Sequence, residues 1–169
     1  MIDYQQPMFR PPSEANSLLI QATIGCSHNN CTYCAMYRQS NQKFRMRKKD
    51  EIFKIIDERS SLDFKRSFIA DGNALVMPTK LLSETIIEIF NKNKNMERVS
   101  LYGNVGDILR KSDDDLIKLQ KSGLSLVYIG FESGDNITLR RIKKGATKEQ
   151  TIEAMNKLKR AKIKVSGMV

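Results

Sequence analysis

The sequence lacks the apolar segments that membrane insertion and secretion require. No run approaches the roughly 18 to 20 apolar residues needed to cross a bilayer, and residues 1–17 contain no apolar core of a secretory signal. With 40% hydrophobic and 28% charged residues, the 169-residue chain is also unlike a disordered or fibrous protein. These absences predict one cytoplasmic domain with a single buried core.

Cysteine and histidine are both scarce, and all of them lie in one short segment. The three cysteines are Cys26, Cys31 and Cys34, and the one histidine is His28. An odd number of crowded thiols without partners elsewhere is unlike a disulfide framework. In a reducing compartment, clustered thiols hold metal or carry redox chemistry more often than they staple a fold. Residues 26–34, the cysteine loop, are therefore the candidate metal site.

Strand-like and helix-like segments alternate along the chain. Strands are predicted at 17–25, 66–72, 98–104, 125–131 and 163–169, with helices at 50–59, 79–91, 112–123 and 147–160. The last helix is predicted to start at a Thr147–Gln150 capping box and to turn Ile152, Met155 and Leu158 inward. Five strands separated by helices indicate a parallel sheet of βα units, either doubly wound or part of a barrel. The chain is too short for a closed eight-unit barrel, which takes about 250 residues.

Polar, thiol or glycine residues follow each of the first four predicted strands. In chain order they are the cysteine loop, then Asp71, Gly72 and Asn73, then Gly103 and Asn104, then Glu132, Ser133 and Gly134. Taken singly, these residues suit turns and helix caps. However, the carboxyl ends of parallel strands share one edge of the sheet, where ligands bind. The sequence therefore predicts a ligand site at that edge.

Three thiolates on one flexible loop suit two kinds of metal site. They can ligate three irons of a [4Fe–4S] cube and leave the fourth iron open to a substrate. Alternatively, Cys26, His28, Cys31 and Cys34 can close a tetrahedral zinc site, although structural zinc sites more usually draw ligand pairs from two separated segments. From the residues alone, the two metals are about equally supported. We interpret His28 as a solvated loop residue.

Three stretches, each after its own strand, resemble motifs of the radical S-adenosylmethionine (SAM) superfamily. The cysteine loop, with Tyr33 before the last cysteine, resembles the cluster loop of that family. ADGNAL at 70–75 resembles its glycine-rich segment, although Asp-Gly-Asn stands where many members have Gly-Gly-Glu. GFESGDNITLRRIKKGAT at 130–147 is similar to the strand-four signature of the branch with methylthiotransferases and oxygen-independent coproporphyrinogen oxidase-like proteins. The cysteines are separated by four and then two residues, where three and then two is commonest.

The resemblance implies a fold and a pair of cofactors. The fold is α/β, a partial (β/α) barrel of radical SAM type with about five βα units. Residues 1–16 are an N-terminal extension, and residues 17–169 are the core, which stops before the sixth strand that the family usually has. Cys26, Cys31 and Cys34 are expected to hold a [4Fe–4S] cluster that SAM chelates. An electron from a donor protein then cleaves SAM to a 5′-deoxyadenosyl radical, which abstracts hydrogen from an unknown substrate.

The same resemblance implies residues that bind SAM. Tyr33 is expected near the adenine, residues 71–74 near the amino group, and Glu132 with Ser133 near the ribose hydroxyls or the carboxylate. The full predicted set is Tyr33, Asp71, Gly72, Asn73, Ala74, Asn104, Glu132, Ser133 and Lys144. The alternative to an enzyme is a zinc-stabilised, non-catalytic module that binds nucleic acid or a partner protein.

Basic residues give a formal net charge of +10 and cluster at 38–49 and 140–164. RNA is a candidate partner because such a surface supplies phosphate affinity. Solvated charge is the favoured interpretation, since no recognisable RNA-binding module is present. The apolar strand at residues 163–169 predicts a truncated core that dimerises through an exposed strand edge or is poorly soluble.

Overall fold

The computed structural model describes residues 2–38, 43–60 and 63–169. Its main sheet has five parallel strands, in the order β1–β4–β5–β6–β7. The strands are β1 (Leu18–Gln21), β4 (Arg66–Ala70), β5 (Arg98–Tyr102), β6 (Leu124–Gly130) and β7 (Lys164–Met168). A second, antiparallel pair consists of β2 (Thr23–Ile24) and β3 (Arg45–Met46).

Helices connect the strands of the main sheet. They are α1 (Ala35–Arg38), α2 (Lys49–Arg59), α3 (Thr79–Lys92), α4 (Val105–Arg110), α5 (Asp113–Lys121), α6 (Asn136–Arg141) and α7 (Lys148–Arg160). Short 3₁₀ turns lie at Pro12–Glu14 and Ala74–Val76. This is the alternation of strand and helix that the sequence predicts. No helix within the described ranges is long and apolar enough to span a bilayer.

Alternate side chains of each strand point to opposite faces of the sheet, and each face carries an apolar cluster. One face packs against the helices through residues such as Ile69, Leu101 and Val127. The other carries a smaller cluster built around Phe68 and Tyr128. The main core thus lies between sheet and helices, and the carboxyl edge of the sheet is left for polar groups.

The first predicted strand, residues 17–25, is not one strand but two, β1 and β2. The chain leaves the main sheet after Gln21, and Thr23 pairs with Met46 in the second sheet instead. The two pieces meet at Ala22, whose N–H donates to the Ala70 carbonyl at 2.8 Å. The redirection starts the cysteine loop beside the end of β4.

The predicted capping box of the last helix is confirmed, whereas part of its predicted buried face is wrong. The Gln150 N–H donates to Thr147 Oγ1 at 3.2 Å. Leu158 is buried, together with Ala154, but Ile152 and Met155 are exposed. The helix therefore turns a narrower stripe toward the sheet than its apolar residues indicate.

Residues 2–16 pack on the core. The Gln5 N–H donates to Gln21 Oε1 at 2.9 Å, and the buried Glu14 accepts from Ser100 Oγ at 2.9 Å and from Tyr128 OH at 2.7 Å. The boundary between extension and core at residue 17 stays a prediction, as does dimerisation through β7. In the described part of the chain, β7 pairs with β6 alone.

Candidate cofactor-binding site

A pocket of about 280 Å³ lies at the carboxyl ends of β5 and β6. The cysteine loop contributes Ser27 and His28 to its wall, and residues 144–146 form another side. Asn104, which precedes α4, also lines it. The structure thus brings the cysteine loop and the ends of several strands to the shared edge that the sequence predicts.

The cysteine loop is anchored on the segment that follows α6. The Thr32 N–H donates to the Ile142 carbonyl at 3.0 Å, and His28 Nε2 lies 2.8 Å from the Lys143 carbonyl. The His28 ring also rests on Gly145, where a Cβ would lie 2.6 Å from Cε1. Contacts from two parts of the loop therefore fix its position against the end of α6.

The three thiols share one electrostatic environment. All are half-buried, and none forms a disulfide. Burial raises the pKa of Cys31, the Lys144 ammonium lowers it, and negative charge on Cys26 or Cys34 raises it further. Ionising all three thiols thus needs a compensating positive charge, which Lys144 supplies in part.

Three soft thiolates on one loop are a donor set that fits an iron–sulfur cluster. Within the described residues, no three His, Cys, Asp or Glu side chains converge on one metal position. Each thiolate of a [4Fe–4S] cube binds a different iron, whereas a zinc ion needs its ligands at one point. His28, the fourth ligand of the zinc alternative, has its Nε2 2.8 Å from the Lys143 carbonyl. Nothing in the described residues supports the zinc alternative.

Asp71 places a buried carboxylate at the end of β4. Its Oδ1 accepts from the Tyr37 hydroxyl and from the Phe9 N–H at 3.4 Å, and its own N–H donates to Thr23 Oγ1 at 2.9 Å. Oδ2 is buried and has no hydrogen-bond partner within the described residues. Burial raises the pKa of Asp71 to about 6, although hydrogen bonds from the Tyr37 hydroxyl and from the backbone N–H groups of Phe9, Gly25 and Gly72 oppose that rise. Asp71 is completely buried, and Oδ2 is an acceptor that the described residues leave unsatisfied.

Gly72 lets the end of β4 approach the cysteine loop closely. A Cβ at this position would lie 2.6 Å from Tyr37 Cε2 and 3.0 Å from Cys26 Cβ. The first distance is shorter than Cβ contacts in proteins allow. A side chain larger than that of glycine would therefore push against the Tyr37 ring.

Asn73 uses its side chain within the protein. Its Nδ2 donates to Ser27 Oγ at 2.6 Å and to Asp107, and its Oδ1 accepts from the Asn104 N–H at 3.2 Å. Asp107 in turn accepts from the Arg110 guanidinium at the pocket wall. Asn73 thereby ties the residue after Cys26 to the start of α4.

Glu132 and Lys144, both in the predicted set, form an ion pair, and Glu132 also acts on Tyr33 of the same set. Lys144 Nζ lies 3.1 Å from Glu132 Oε1. The pKa of Tyr33 is raised by burial first, and then by its hydrogen bond to Glu132. Gly130 makes room for this group, because a Cβ there would lie 2.1 Å from Glu132 Oε1. The cysteine loop and the end of β6 are thus joined by polar contacts.

Two other predicted residues have local structural roles. Ser133 Oγ accepts from the Asp135 N–H at 3.0 Å, in the turn before α6. Ala74 is buried in a 3₁₀ turn. Sequence reasoning missed Phe9, Tyr37 and Asp107. Only Asp107 had a local signal, as an acid in the first turn of a helix.

Comparison with known proteins gives the family. The model of the Radical SAM superfamily matches residues 20–169. The chain belongs to the radical SAM superfamily. The family predicted from the cysteine loop and the two later motifs is therefore confirmed, and its solved members similar to this chain are enzymes.

The radical SAM core is also similar to individual proteins. A methylthiotransferase-like protein of Methanocaldococcus jannaschii is 23% identical over 164 residues, which cover 89% of this chain and 34% of that protein. The cobalamin-dependent radical enzyme OxsB, with aqua-cobalamin and SAM bound, has a TM-score of 0.67 at 20% identity, over 89% of this chain and 23% of its own. Coproporphyrinogen III oxidase of Escherichia coli has a TM-score of 0.59 at 13% identity, over 85% and 34%.

A third solved structure resembles this radical SAM core in fold. The methyltransferase TsrM of Kitasatospora setae, with tryptophan and a SAM analogue, has a TM-score of 0.67 at 15% identity, over 97% of this chain and 33% of its own. Another TsrM structure holds cobalamin and a [4Fe–4S] cluster. The predicted α/β partial-barrel fold is confirmed, and both predicted cofactors occur among these relatives. The chain spans about a third of the curated relative's length.

Proposed function

We propose that this chain is a radical SAM enzyme core in which Cys26, Cys31 and Cys34 bind a [4Fe–4S] cluster and SAM binds beside it. The observation that carries the proposal is the shared environment of the half-buried thiols and Lys144, beside the buried carboxylate of Asp71. When bound, the cluster and SAM supply a 5′-deoxyadenosyl radical for hydrogen abstraction from a substrate.

The first task of the protein is to hold three thiolates together. The cation of Lys144 offsets their charge, and the anchoring of the loop through Thr32 and His28 fixes their positions. Asn73 supports the same loop from the other side through Ser27. In this role Asn73 positions the loop, and its side chain has no spare donor aimed at SAM.

The second task is to orient SAM. Oδ2 of Asp71 would accept a hydrogen bond from the SAM ammonium group, which would give this buried oxygen the partner that it lacks among the described residues. A cation there lowers the pKa of Asp71 from its raised value, so the carboxyl group is ionised in the complex.

The third task falls to the residues after β6. Glu132 accepts from the ribose hydroxyls, Lys144 faces the SAM carboxylate, and Tyr33 lies against the adenine. The ion pair of Lys144 with Glu132 supports this assignment, as do the effect of Glu132 on the pKa of Tyr33 and the effect of Lys144 on the pKa of Cys31, because together they place the three side chains next to Cys31. Asn104 and the backbone of residues 72–74 complete the cradle.

SAM titration of anaerobically reconstituted protein tests these roles. We expect Asp71→Asn to weaken SAM binding by about 1 to 3 kcal/mol, because an amide nitrogen replaces the acceptor oxygen. Its iron content should stay at the wild-type level. Asp63→Asn, at an exposed carboxylate just before β4, is the matched control and should change neither quantity. If both Asp71→Asn and Glu132→Gln bind SAM with wild-type affinity, the assignment of these two residues to SAM binding is refuted.

A further inference from the structure

His28, interpreted from sequence as a solvated loop residue, holds the peptide group that joins Lys143 to Lys144. Its Nε2 lies 2.8 Å from the Lys143 carbonyl oxygen, 115 residues away in the chain. A carbonyl oxygen can only accept, so Nε2 carries a proton and donates. The N–H of the same peptide group, that of Lys144, donates to the Leu139 carbonyl at 3.0 Å. Both polar atoms of this peptide group are therefore held.

The backbone at this turn adopts a conformation that side chains other than glycine disfavour. Helix α6 ends in a Schellman motif, to which the Lys143 N–H contributes a hydrogen bond to the Arg140 carbonyl at 3.0 Å. Lys143 occupies the left-handed position of the motif, with a φ of +53°, where glycine is usual. A contact from outside the helix, which His28 provides, therefore helps to keep the turn in place.

The imidazole ring of His28 also packs against the next glycine, Gly145. A Cβ at residue 145 would lie 2.6 Å from Cε1, 3.2 Å from Nδ1 and 3.3 Å from Nε2 of the ring. Gly145 has a φ of +76°, a conformation that glycine adopts without steric cost. His28 thus contacts both neighbours of Lys144, one through a hydrogen bond and the other through its ring.

Lys144 is the residue that these contacts orient. Its side chain is 14% exposed, and its Nζ lies 3.1 Å from Glu132 Oε1. A lysine ammonium group sits on a flexible four-carbon stem, so it reaches a defined point only where the backbone beneath it is fixed. His28 and Lys144 line the same pocket. The position of the ammonium group in that pocket therefore depends on the contacts of His28.

We propose that His28 is a positioning residue for SAM: by holding the turn after α6, it places the Lys144 ammonium group against the SAM carboxylate. This inference rests on the proposed function, which assigns the SAM carboxylate to Lys144. In this role His28 needs no contact with the cluster, so its replacement should leave the iron content at the wild-type level.

Equilibrium binding of SAM to reconstituted protein tests the proposal. We expect His28→Ala to bind SAM about three- to tenfold more weakly, because the turn loses a hydrogen bond and the packing of the ring. His28→Gln should stay within about twofold of wild type, since the glutamine Nε2 keeps an N–H donor at similar reach. Asn30→Ala, at an exposed position of the same loop, is the matched control and should also stay within about twofold.

A double-mutant cycle shows whether His28 acts through Lys144. The variant His28→Ala/Lys144→Met should bind SAM within about twofold of Lys144→Met alone, because a turn that carries no ammonium group has nothing to place. Losses that multiply in full would overturn the action through Lys144.

Amide hydrogen exchange of the apo-protein gives a second readout, which needs neither cluster nor SAM. Exchange at residues 143–146 should be faster in His28→Ala than in wild type, and unchanged in Asn30→Ala. Equal exchange at these residues in His28→Ala and wild type would show that His28 does not hold the turn, and would overturn the proposal.

The SAM titrations separate this inference from the proposed function. A wild-type chain that binds neither iron nor SAM would overturn the proposed function. If the wild-type chain binds both, and His28→Ala has the same SAM affinity as Asn30→Ala, the positioning role alone is overturned. A loss of affinity in His28→Ala that His28→Gln does not restore would also overturn it, because the hydrogen bond would then not be the cause.

Discussion

The close packing at Gly72 gives a prediction that needs no cofactor. A Cβ at residue 72 would lie 2.6 Å from Tyr37 Cε2 and 2.9 Å from Cζ. The ring is buried, its hydroxyl donates to Asp71, and its centroid lies 5.4 Å from that of Phe9 in an edge-to-face contact. Moving the ring aside therefore costs a buried hydrogen bond and an aromatic contact. We expect Gly72→Ala to destabilise the fold by about 1 to 3 kcal/mol.

Thermal and urea unfolding of the apo-protein measure this loss. For a chain of this size, each kcal/mol lowers Tm by about 2 to 4 °C, so the drop should fall between about 2 and 12 °C. Gly134→Ala is the matched control, because a Cβ there meets no atom within 4 Å. If Gly72→Ala unfolds at the same temperature and urea concentration as Gly134→Ala, the packing of Tyr37 against residue 72 is refuted.

Two further predictions concern charges at the site. Because burial raises the pKa of Asp71 from 3.8 to about 6, the unfolded chain releases this proton first as pH rises. The unfolding free energy should then fall by up to about 3 kcal/mol between about pH 4 and pH 6. Urea titrations should show this fall reduced in Asp71→Asn, and equal slopes would contradict a raised pKa. Lys144→Met should raise the pKa of Cys31 and slow its alkylation by iodoacetamide in apo-protein. Lys162→Met is the control, and equal alkylation rates would exclude the Lys144 effect.

The elements that could be predicted from sequence are those whose signals are local. The helix opening at Thr147 carries its own capping box, and the alternation of strands and helices follows from periodicity. Helices α1, α4 and α6 span six residues or fewer, too few for a periodic pattern to stand out. The predicted burial of Met155 was wrong, because the spacing of apolar residues does not show how wide a stripe of the helix the neighbouring elements cover.

The candidate site also has features that sequence predicts and features that depend on residues distant in the chain. The positions of Asp71 and Glu132 follow from the rule that ligands gather at strand ends. The burial of Asp71 does not, because it depends on Phe9 and Tyr37, which lie 62 and 34 residues away in the chain. The engagement of Asn73 by Ser27 and Asp107 is equally non-local. The sequence thus indicated which residues lie together at the sheet edge, but not which of their polar atoms lack a hydrogen-bond partner.

Metal content after anaerobic reconstitution tests the central claim most directly. We expect about four irons and about four sulfides per chain, with broad absorption near about 400 nm. Alanine at Cys26, Cys31 or Cys34 should abolish stable cluster binding, because two thiolates cannot hold three corners, while His28→Ala should keep the wild-type iron content. One tightly held zinc in colourless protein would contradict the account. So would loss of iron in His28→Ala together with wild-type iron content in one of the cysteine variants.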